Sequence, residues 1–556
     1  MKKLLSVLLA VVFMLSMMAF AQVTDPAANE VGVSPIVKEG EQITLTWGLK
    51  QNANVTDYYD NDFTRLLEER LGVKIDFVLF PASDAEAKLD LMVTSGEPLP
   101  DIITFGITDN VRRYNYGKAG AIIATDELFE ELGEPLRVFC AENGIDLNLC
   151  MEQLRSPDGK LYVAAINRDE NYANMPMPRA WINTTWLEAL DLEMPTTSEE
   201  LYDVLVAFRD GDPNGNGIQD EIPMMGCDKG WHGSVINYLQ DMFIYYAHDG
   251  SYRLPLSETN GEIDVAYDKD EYRQALIYMN KLVSEGLLST LSFTQDKSQL
   301  DTYMLTEPSQ VGIYVMGVIN NLMKINDKYD VLEVCAGPEG VQWQSRQFAN
   351  AQASCAISSA CEHPEIAFMA LEYMYYSYVG GDKDSMDIFY ANHWGVRGRD
   401  WDYAAPGTQG MFSEYGYDAA IEIKNIVWGE LNNVNWKFTA LANLLFTAPM
   451  IMEAFDGDLK NPEYWYAKNY GVNSKYMPAN EDLVPALTYT EEETHDWADT
   501  MTALNTYVNE ARTLFVIGQL DPNSDEDWNN YLNELNELNY KEVIAVDQKA
   551  FERIKK

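Results

Sequence analysis

Between residues 43 and 106 the chain alternates between two apolar periods. "QITLTWG" has the alternation of a strand. In "NDFTRLLEERLG" Phe63, Leu66 and Leu67 share one helical face, and Gly72 is its stop. "VKIDFVLF" is a second strand, "DAEAKLDLMVTSGE" a second helix and "PDIITFG" a third strand. Strands joined through helices run parallel, and a parallel sheet needs both faces covered. The fold class is therefore α/β. Open sheets of this kind take ligands beyond the carboxyl ends of their strands. That edge is expected to hold Trp47, Gly48 and the run Thr104-Phe105-Gly106.

At 556 residues the chain exceeds what one hydrophobic core organises, so at least two lobes are expected. It carries 87 Asp plus Glu against 40 Lys plus Arg, a formal net charge of -47. Such a surface repels phosphate backbones and anionic headgroups, which argues against a nucleic-acid partner. Lys2 and Lys3, the apolar run "LLSVLLAVVFMLSMMAF" and the small-residue site at Ala19-Phe20-Ala21 predict a signal peptide over 1–21. Cleavage near Ala21 makes the protein periplasmic or secreted. No Cys lies there to carry a lipid. Residues 22–41 are polar and irregular and read as a flexible tether. Export permits disulfides, and Cys140 with Cys150 is the favoured local pair, with buried thiols as the alternative.

The segment "PTTSEELYDVLVAFRD" is a helix whose Leu201, Val204, Leu205 and Phe208 line one face, with Thr197 and Glu200 as a capping box. "DPNGNGIQDEIP" follows at once. Asp212, Asn214, Asn216 and Asp220 offer side-chain oxygens at alternate positions, and Gly215 and Gly217 let the chain turn. Ile218 adds a backbone carbonyl, and Glu221 closes the set with two oxygens. Calcium takes six to eight such hard oxygens. The loop departs from a standard EF-hand, because position twelve is Pro223 and the acidic closure comes two residues early. A metal-free loop of Asx turns is the alternative. Nothing nearby marks an open coordination position with an acid or base, so a cation here is structural.

Together with "MVTSGEPLPDIITFG", "SPDGKLY", "WINTTWLEALDLEMPTTSEELYDVLVAFRDGDPNGNGIQDEIP" and the C-terminal "DWNNYLNELNELNYKEVIAVDQKAFERI", these segments resemble the extracellular solute-binding proteins of ABC importers. The likeness is to family 1, the large carbohydrate-binding type with LplA-like and alginate-binding proteins. It implies a type II periplasmic-binding fold: two α/β lobes, a multi-strand hinge, a ligand cleft between them and a helical C-terminal region. The first lobe would hold 42–165 and about 350–440, the second 175–345 and about 440–556, with a Ca2+ loop at 212–221. The expected partners are a carbohydrate, an oligosaccharide in kind, and permease subunits; the protein is expected as a monomer.

Sugars present hydroxyl rims and weakly apolar faces, which aromatic planes and directional amides recognise. Trp47, Trp231 and Trp394 sit beside turn residues and are the leading candidates. Asn52, Tyr58, Phe105 and Arg397 are flanking ones. Arg397 either meets an anionic sugar or pairs with neighbouring aspartates. No HExxH or GxSxG occurs, so no catalytic residue is assigned. An exported hydrolase or lyase, or a sensory sugar-binding protein, are the competing readings.

Overall fold

The computed structural model describes residues 23–169, 176–228, 232–317, 326–346, 350–409, 419–425, 427, 431–437, 445–446, 453–454 and 462–555. The leader and Trp231 lie outside them. The chain divides into two compact units: 1–169, 350–403 and 421–447, and then 170–349, 404–420 and 448–556. No helix among the described residues is long and apolar enough to cross a membrane.

The first unit is built on the three strands expected from residues 43 to 106. Thr44–Lys50 pairs in parallel with Lys74–Phe80, Trp47 opposite Phe77, and on its other side with Ile102–Ile103. The connecting helix Asp62–Leu71 begins where the Asn61 side chain accepts from the Phe63 N–H and ends at Gly72 with φ 75. Beyond Ile102–Ile103 the direction reverses. Gln352–Ile357 joins antiparallel, followed by Ala165–Asp169 and Leu445–Phe446. The strand expected over "LYVAAI" therefore starts later, at Ala165. A register shift between Ala165 and Ile166 marks where the pairing with the Gln352–Ile357 strand settles.

Residues 24–38 are not a free tether. They form a short antiparallel bridge, Ala28 to Val37, and bury Ile36 and Val37. Asp25 meets His363 Nδ1 at 2.8 Å, and Glu365 accepts from the Thr24 and Asp25 N–H groups. The Ile36 N–H donates to Leu71 O, and a Cβ on Gly72 would stand 2.7 Å from Pro35. Four apolar side chains (Ala27, Ala28, Ile36, Val37) in a polar stretch suffice to hold it, because helix ends brought from far along the chain receive it.

The second unit has a four-stranded sheet in the order Ile222–Met225, Val311–Val315, Ala180–Asn183, Tyr329–Leu332. The first pair is parallel and the other two antiparallel. Helix Ser198–Asp210 lays Leu201, Val204, Leu205 and Phe208 into the core as its spacing predicts. Its cap is only half the expected box. Thr197 Oγ1 accepts from the Glu200 N–H, but the Glu200 carboxylate turns to the N–H and hydroxyl of Thr196. Phe208 crosses the sheet over Gly312, where a Cβ would sit 2.3 Å from its ring. The C-terminal region is helical, as expected: Glu491–Val516, Asp525–Glu537 and Tyr540–Ile554. The last two are separate helices, because Asn539 takes a left-handed φ of 56 and swings Tyr540 into the core.

All six cysteines stand as thiols, so the bridge expected between Cys140 and Cys150 is not made. Both are buried on the helices Glu134–Glu142 and Leu147–Leu154, packed as small apolar side chains.

Two buried carboxyl groups generate stability predictions. Arg253 donates to Asp547 Oδ2 at 2.8 and 3.0 Å, and Tyr489 donates to Asp547 Oδ1 at 2.8 Å, all within the second unit. Asp547→Ala would strand a buried guanidinium, and chemical denaturation should show a loss of about 3–5 kcal/mol. In the first unit Glu372 is buried with Oε2 unpartnered, and burial pushes its carboxyl up to about 8 against a relieving influence from Arg137. The unfolded chain releases that proton near its ordinary value and the folded chain does not. Stability is therefore lost as pH rises from the ordinary value toward 8, then levels off. Glu372→Gln should match the wild type near pH 4.5 and gain up to about 3 kcal/mol at pH 7. Melting curves at both pH values check the sign.

Candidate cation loop and solute-facing residues

Helix Ser198–Asp210 is closed by the Gly211 N–H on Ala207 O, and the chain then turns through three left-handed residues, Asp212, Gly215 and Gly217. Aspartate tolerates that region better than most side chains. The turns aim oxygens inward. Asp212 Oδ1 accepts from the Asn216 N–H at 3.1 Å and Oδ2 from the Gly217 N–H at 3.1 Å. Asn214 Oδ1 accepts from the Asn216 N–H, and Asn216 Oδ1 from the Ile218 N–H at 2.7 Å. Ile218 exposes its side chain and presents its carbonyl, which accepts from the Asp220 N–H.

Asp220 is the hub of the loop. Its Oδ1 accepts from the amides of Asn214 and Asn216, and its Oδ2 from Gln310 Nε2 at 2.6 Å. These donors, Asn216 first and then Gln310, hold its carboxyl below the usual range. Gln310 stands directly before the strand Val311–Val315, and its carbonyl takes the Ile222 N–H. The loop is thus stitched to both parallel strands of the sheet.

Glu221 is different. Both of its carboxylate oxygens are buried and neither meets a donor among the described residues. Burial raises its pKa, and the charges of Asp220 and Asp212 raise it further. An orphaned carboxylate beside two others is what a cation relieves, since each oxygen already bonded to an N–H keeps a second lone pair. The donor set fits a hard cation: Asp212, Asn214, Asn216 and Asp220 by side chain, Ile218 by carbonyl and Glu221 by its free oxygens. Among the described residues no three His, Cys, Asp or Glu converge closely enough to hold a metal on their own. The loop relies instead on amide and carbonyl oxygens. As the loop stands, the amides of Asn214 and Asn216 are spent as donors to Asp220.

The solute candidates occupy less exposed positions than their loop-side sequence suggested. Trp47 is fully buried, edge-on to Trp436 at 5.5 Å, and its indole N–H meets no acceptor among the described residues. Trp436 also packs edge-on against Phe63 and Phe77, and Phe77 receives Tyr58. The structure thus joins Trp47 and Tyr58 in one aromatic cluster of the first unit. Tyr58 Oη accepts from the Asn52 N–H at 3.0 Å, and Asn52 Oδ1 from the Asn54 N–H, an Asx turn that shapes the loop after the Thr44–Lys50 strand. Phe105 packs on Phe80 at 4.9 Å, apart from that cluster. Trp394 ends the helix Asp387–Trp394 and is nearly buried.

Arg397 takes the pairing alternative. Its guanidinium reaches Asp384, Asp387 and Asp402 and lies 4.6 Å over the Tyr403 ring. Arg399 bridges Asp62 and Asp400. Sequence reasoning missed Trp436, the centre of the cluster, and a buried Asp241–His248–Ser345 group in the second unit. Neither carries a local signal.

No family model matches the chain. It is similar to the fructooligosaccharide ABC transporter substrate-binding protein FusA of Streptococcus pneumoniae serotype 4, 26% identical over 501 residues, 88% of this chain and 86% of that protein. Lipoprotein LipO of Bacillus subtilis is 25% identical over 483 residues, 83% and 84% of the two chains. Among solved structures, FusA of S. pneumoniae in complex with kestose superposes with a TM-score of 0.72 at 23% identity, covering 92% of this chain and 99% of that one. FusA described as an EF-hand mutant, with fructo-nystose, gives a TM-score of 0.71 at 23% identity over 92% and 99%. An extracellular solute-binding protein of Bifidobacterium longum subsp. infantis gives 0.71 at 17% identity over 93% and 100%. The fold is that of the two-lobed solute-binding proteins, and the resemblance drawn from the sequence is borne out. FusA is described as an ABC transporter substrate-binding protein.

Proposed function

We propose that this chain is the substrate-binding component of an ABC importer, capturing an oligosaccharide or related carbohydrate outside the cytoplasmic membrane and passing it to permease subunits. One observation carries the reading: a fructooligosaccharide-binding component matches nearly the whole of this chain, and is itself nearly wholly matched, in sequence and in fold. Capture works by hinge closure. Contacts on both lobes favour the closed form, so solute shifts an equilibrium that exists without it. Affinity is reduced by the fraction of molecules that must first close. The leader over 1–21 exports the chain, and it acts as a monomer.

Trp231 and Trp394 are the stacking planes in this reading. Trp47, Tyr58 and Phe105 back the loops that follow the strands, while Asn52 and Arg397 hold loop shape. The loop at 212–221 binds Ca2+ through Asp212, Asn214, Asn216, Asp220, Glu221 and the Ile218 carbonyl. The unpartnered Glu221 carboxylate supports this, as does a similar protein being described as an EF-hand mutant. Bound there, the ion supplies positive charge that fixes the loop between helix and sheet.

Two measurements test these assignments. A panel of labelled oligosaccharides should come back intact while a bound member raises the melting temperature; at a hundredfold excess over Kd the gain is about 2.7 kcal/mol. Shortened or unsaturated products would sink the reading. For the metal, a chelator should lower the melting temperature of the wild type. Asp212→Ala with Glu221→Ala should remove that sensitivity and leave sugar affinity measurable, and an unchanged wild-type curve in chelator counts against calcium.

A further inference from the structure

Arg253, Arg397 and Arg399 each meet a carboxylate. Arg512, carried into the second unit by the helix Glu491–Val516, is held instead by neutral groups. Its Nη1 donates to Asn237 Oδ1 at 3.0 Å and to Tyr246 Oη at 3.2 Å, and its guanidinium lies 5.7 Å from the centre of the Tyr252 ring. Tyr246 Oη in turn donates to Asn237 Oδ1 at 2.7 Å. Tyr252 stacks on Tyr246 at 5.0 Å and donates to Asn509 Oδ1, one turn before Arg512 on the same helix. Both rings are buried, so the plane of the guanidinium is fixed. These contacts engage one end of it. Nε is buried with no acceptor among the described residues, and Nη2, on the same side-on edge, makes no hydrogen bond among them. The side chain is partly open to solvent. That edge carries two parallel N–H groups, the fork that binds a pair of oxygens.

One acid stands within electrostatic reach. Burial works against the charge of Arg512, and Asp228 is the carboxylate that favours it. Asp228 follows the strand Ile222–Met225, which runs parallel to Val311–Val315, so it lies at the carboxyl end where open sheets take ligands. Ser234 then opens the helix Val235–Gln240, which brings Asn237 to the guanidinium. Asp228 is exposed, and no cation among the described residues pairs with its carboxylate. A cation and an anion that act on each other without pairing suit a group that accepts from the first and donates to the second. A hydroxyl does both. A ligand carboxylate would accept from Arg512 but could not donate to Asp228, which would repel it. The net charge of -47 adds to that repulsion.

We propose that Arg512 and Asp228 form a hydroxyl-binding couple in the second unit that selects an uncharged saccharide. Neighbouring hydroxyl oxygens of the sugar accept from the Nε–H and Nη2–H of Arg512, and one of those hydroxyls donates to Asp228. This rests on the capture reading above and adds to it the charge of the solute. Asn237, Tyr246 and Tyr252 hold the edge in one orientation before the sugar arrives, so little side-chain freedom is lost on binding.

The test titrates the mature full-length chain with uncharged oligosaccharides (kestose, maltotriose and cellotriose) and with trigalacturonate as the acidic probe. An uncharged member should bind the wild type and the galacturonate should not. Asp228→Asn, a change at an exposed residue, should bind that sugar about tenfold more weakly and gain affinity for trigalacturonate. Arg512→Lys keeps the charge without the side-on edge and should lose about thirtyfold for the uncharged sugar. A purely structural role would leave the preference between the two classes unmoved. A wild type that prefers trigalacturonate, or folded variants with unchanged affinities, overturns the couple. If Arg512→Lys does not fold, Asp228→Asn decides through its change of preference. A wild type that binds no sugar counts against the capture reading, and sulfate then judges the couple on its own. At matched ionic strength sulfate should raise the melting temperature of Asp228→Asn, whose Arg512 no longer faces an acid. The wild type and the double variant Asp228→Asn with Arg512→Lys should show no such rise. Equal responses in all three overturn the couple.

Discussion

In a chain with a net charge of -47, the governing constraint is what becomes of a carboxylate that folding takes out of water. Most acids stay on the surface, where they cost little. Carboxylates that are buried are answered in several ways. Asp547 is paired with Arg253, Asp241 is saturated by Ser345 and approached by His248, and Glu372 keeps its proton. Glu221 has no protein partner among the described residues. Desolvating a charge is expensive unless it is paired and hydrogen-bonded, so each of these residues fixes the geometry around it. The second unit's long-range organisation follows from two of them. Asp547 ties the C-terminal helix to the turn at Arg253, and Asp241 ties the segment before Asn350 to the end of the Val235–Gln240 helix.

The same constraint separates a cation loop from a run of surface acids. Oxygens at alternate positions are common in turns and explain themselves by local bonds to N–H groups, as Asp212, Asn214 and Asn216 do here. Glu221 is the residue that local bonding leaves out. Its position is set by the strand that follows, where Gln310 binds both Asp220 and the Ile222 N–H. A cation there would lock helix, loop and sheet edge together, which is a structural task consistent with a protein whose proposed work is to bind and release.

The arginines near residue 397 make the complementary point. They stand out in so acidic a chain, yet Arg397 is surrounded by three aspartates and Arg399 by two. They neutralise acids at and beside the Trp401–Tyr403 strand, which pairs antiparallel with Ile421–Ile423. Trp47 was likewise drawn from the rim into the interior by Trp436, a partner almost four hundred residues away. Conspicuous residue types gather as readily around a core as around a ligand, and only their neighbours tell the two apart.

What could be read directly were features whose causes lie within one stretch of chain. The three parallel strands and their helices follow from apolar period, the helix before the loop from its stripe, and the loop's donors from alternation over ten residues. The resemblance of whole segments to solute-binding proteins added the two-lobed plan. Everything decided by distant partners stayed hidden. Gln352–Ile357 lies between strands that precede it by some two hundred residues, because antiparallel pairing imposes no limit on the chain between. Residues 24–38 looked like a polar tether until the ends of two helices offered Ile36 and Val37 a place to bury. Ser345, unremarkable in sequence, meets Asp241 only when the second unit closes around both. Local periodicity sets which elements form; which buried charge meets which donor is a property of the folded packing, where solvent is excluded and pairing becomes obligatory.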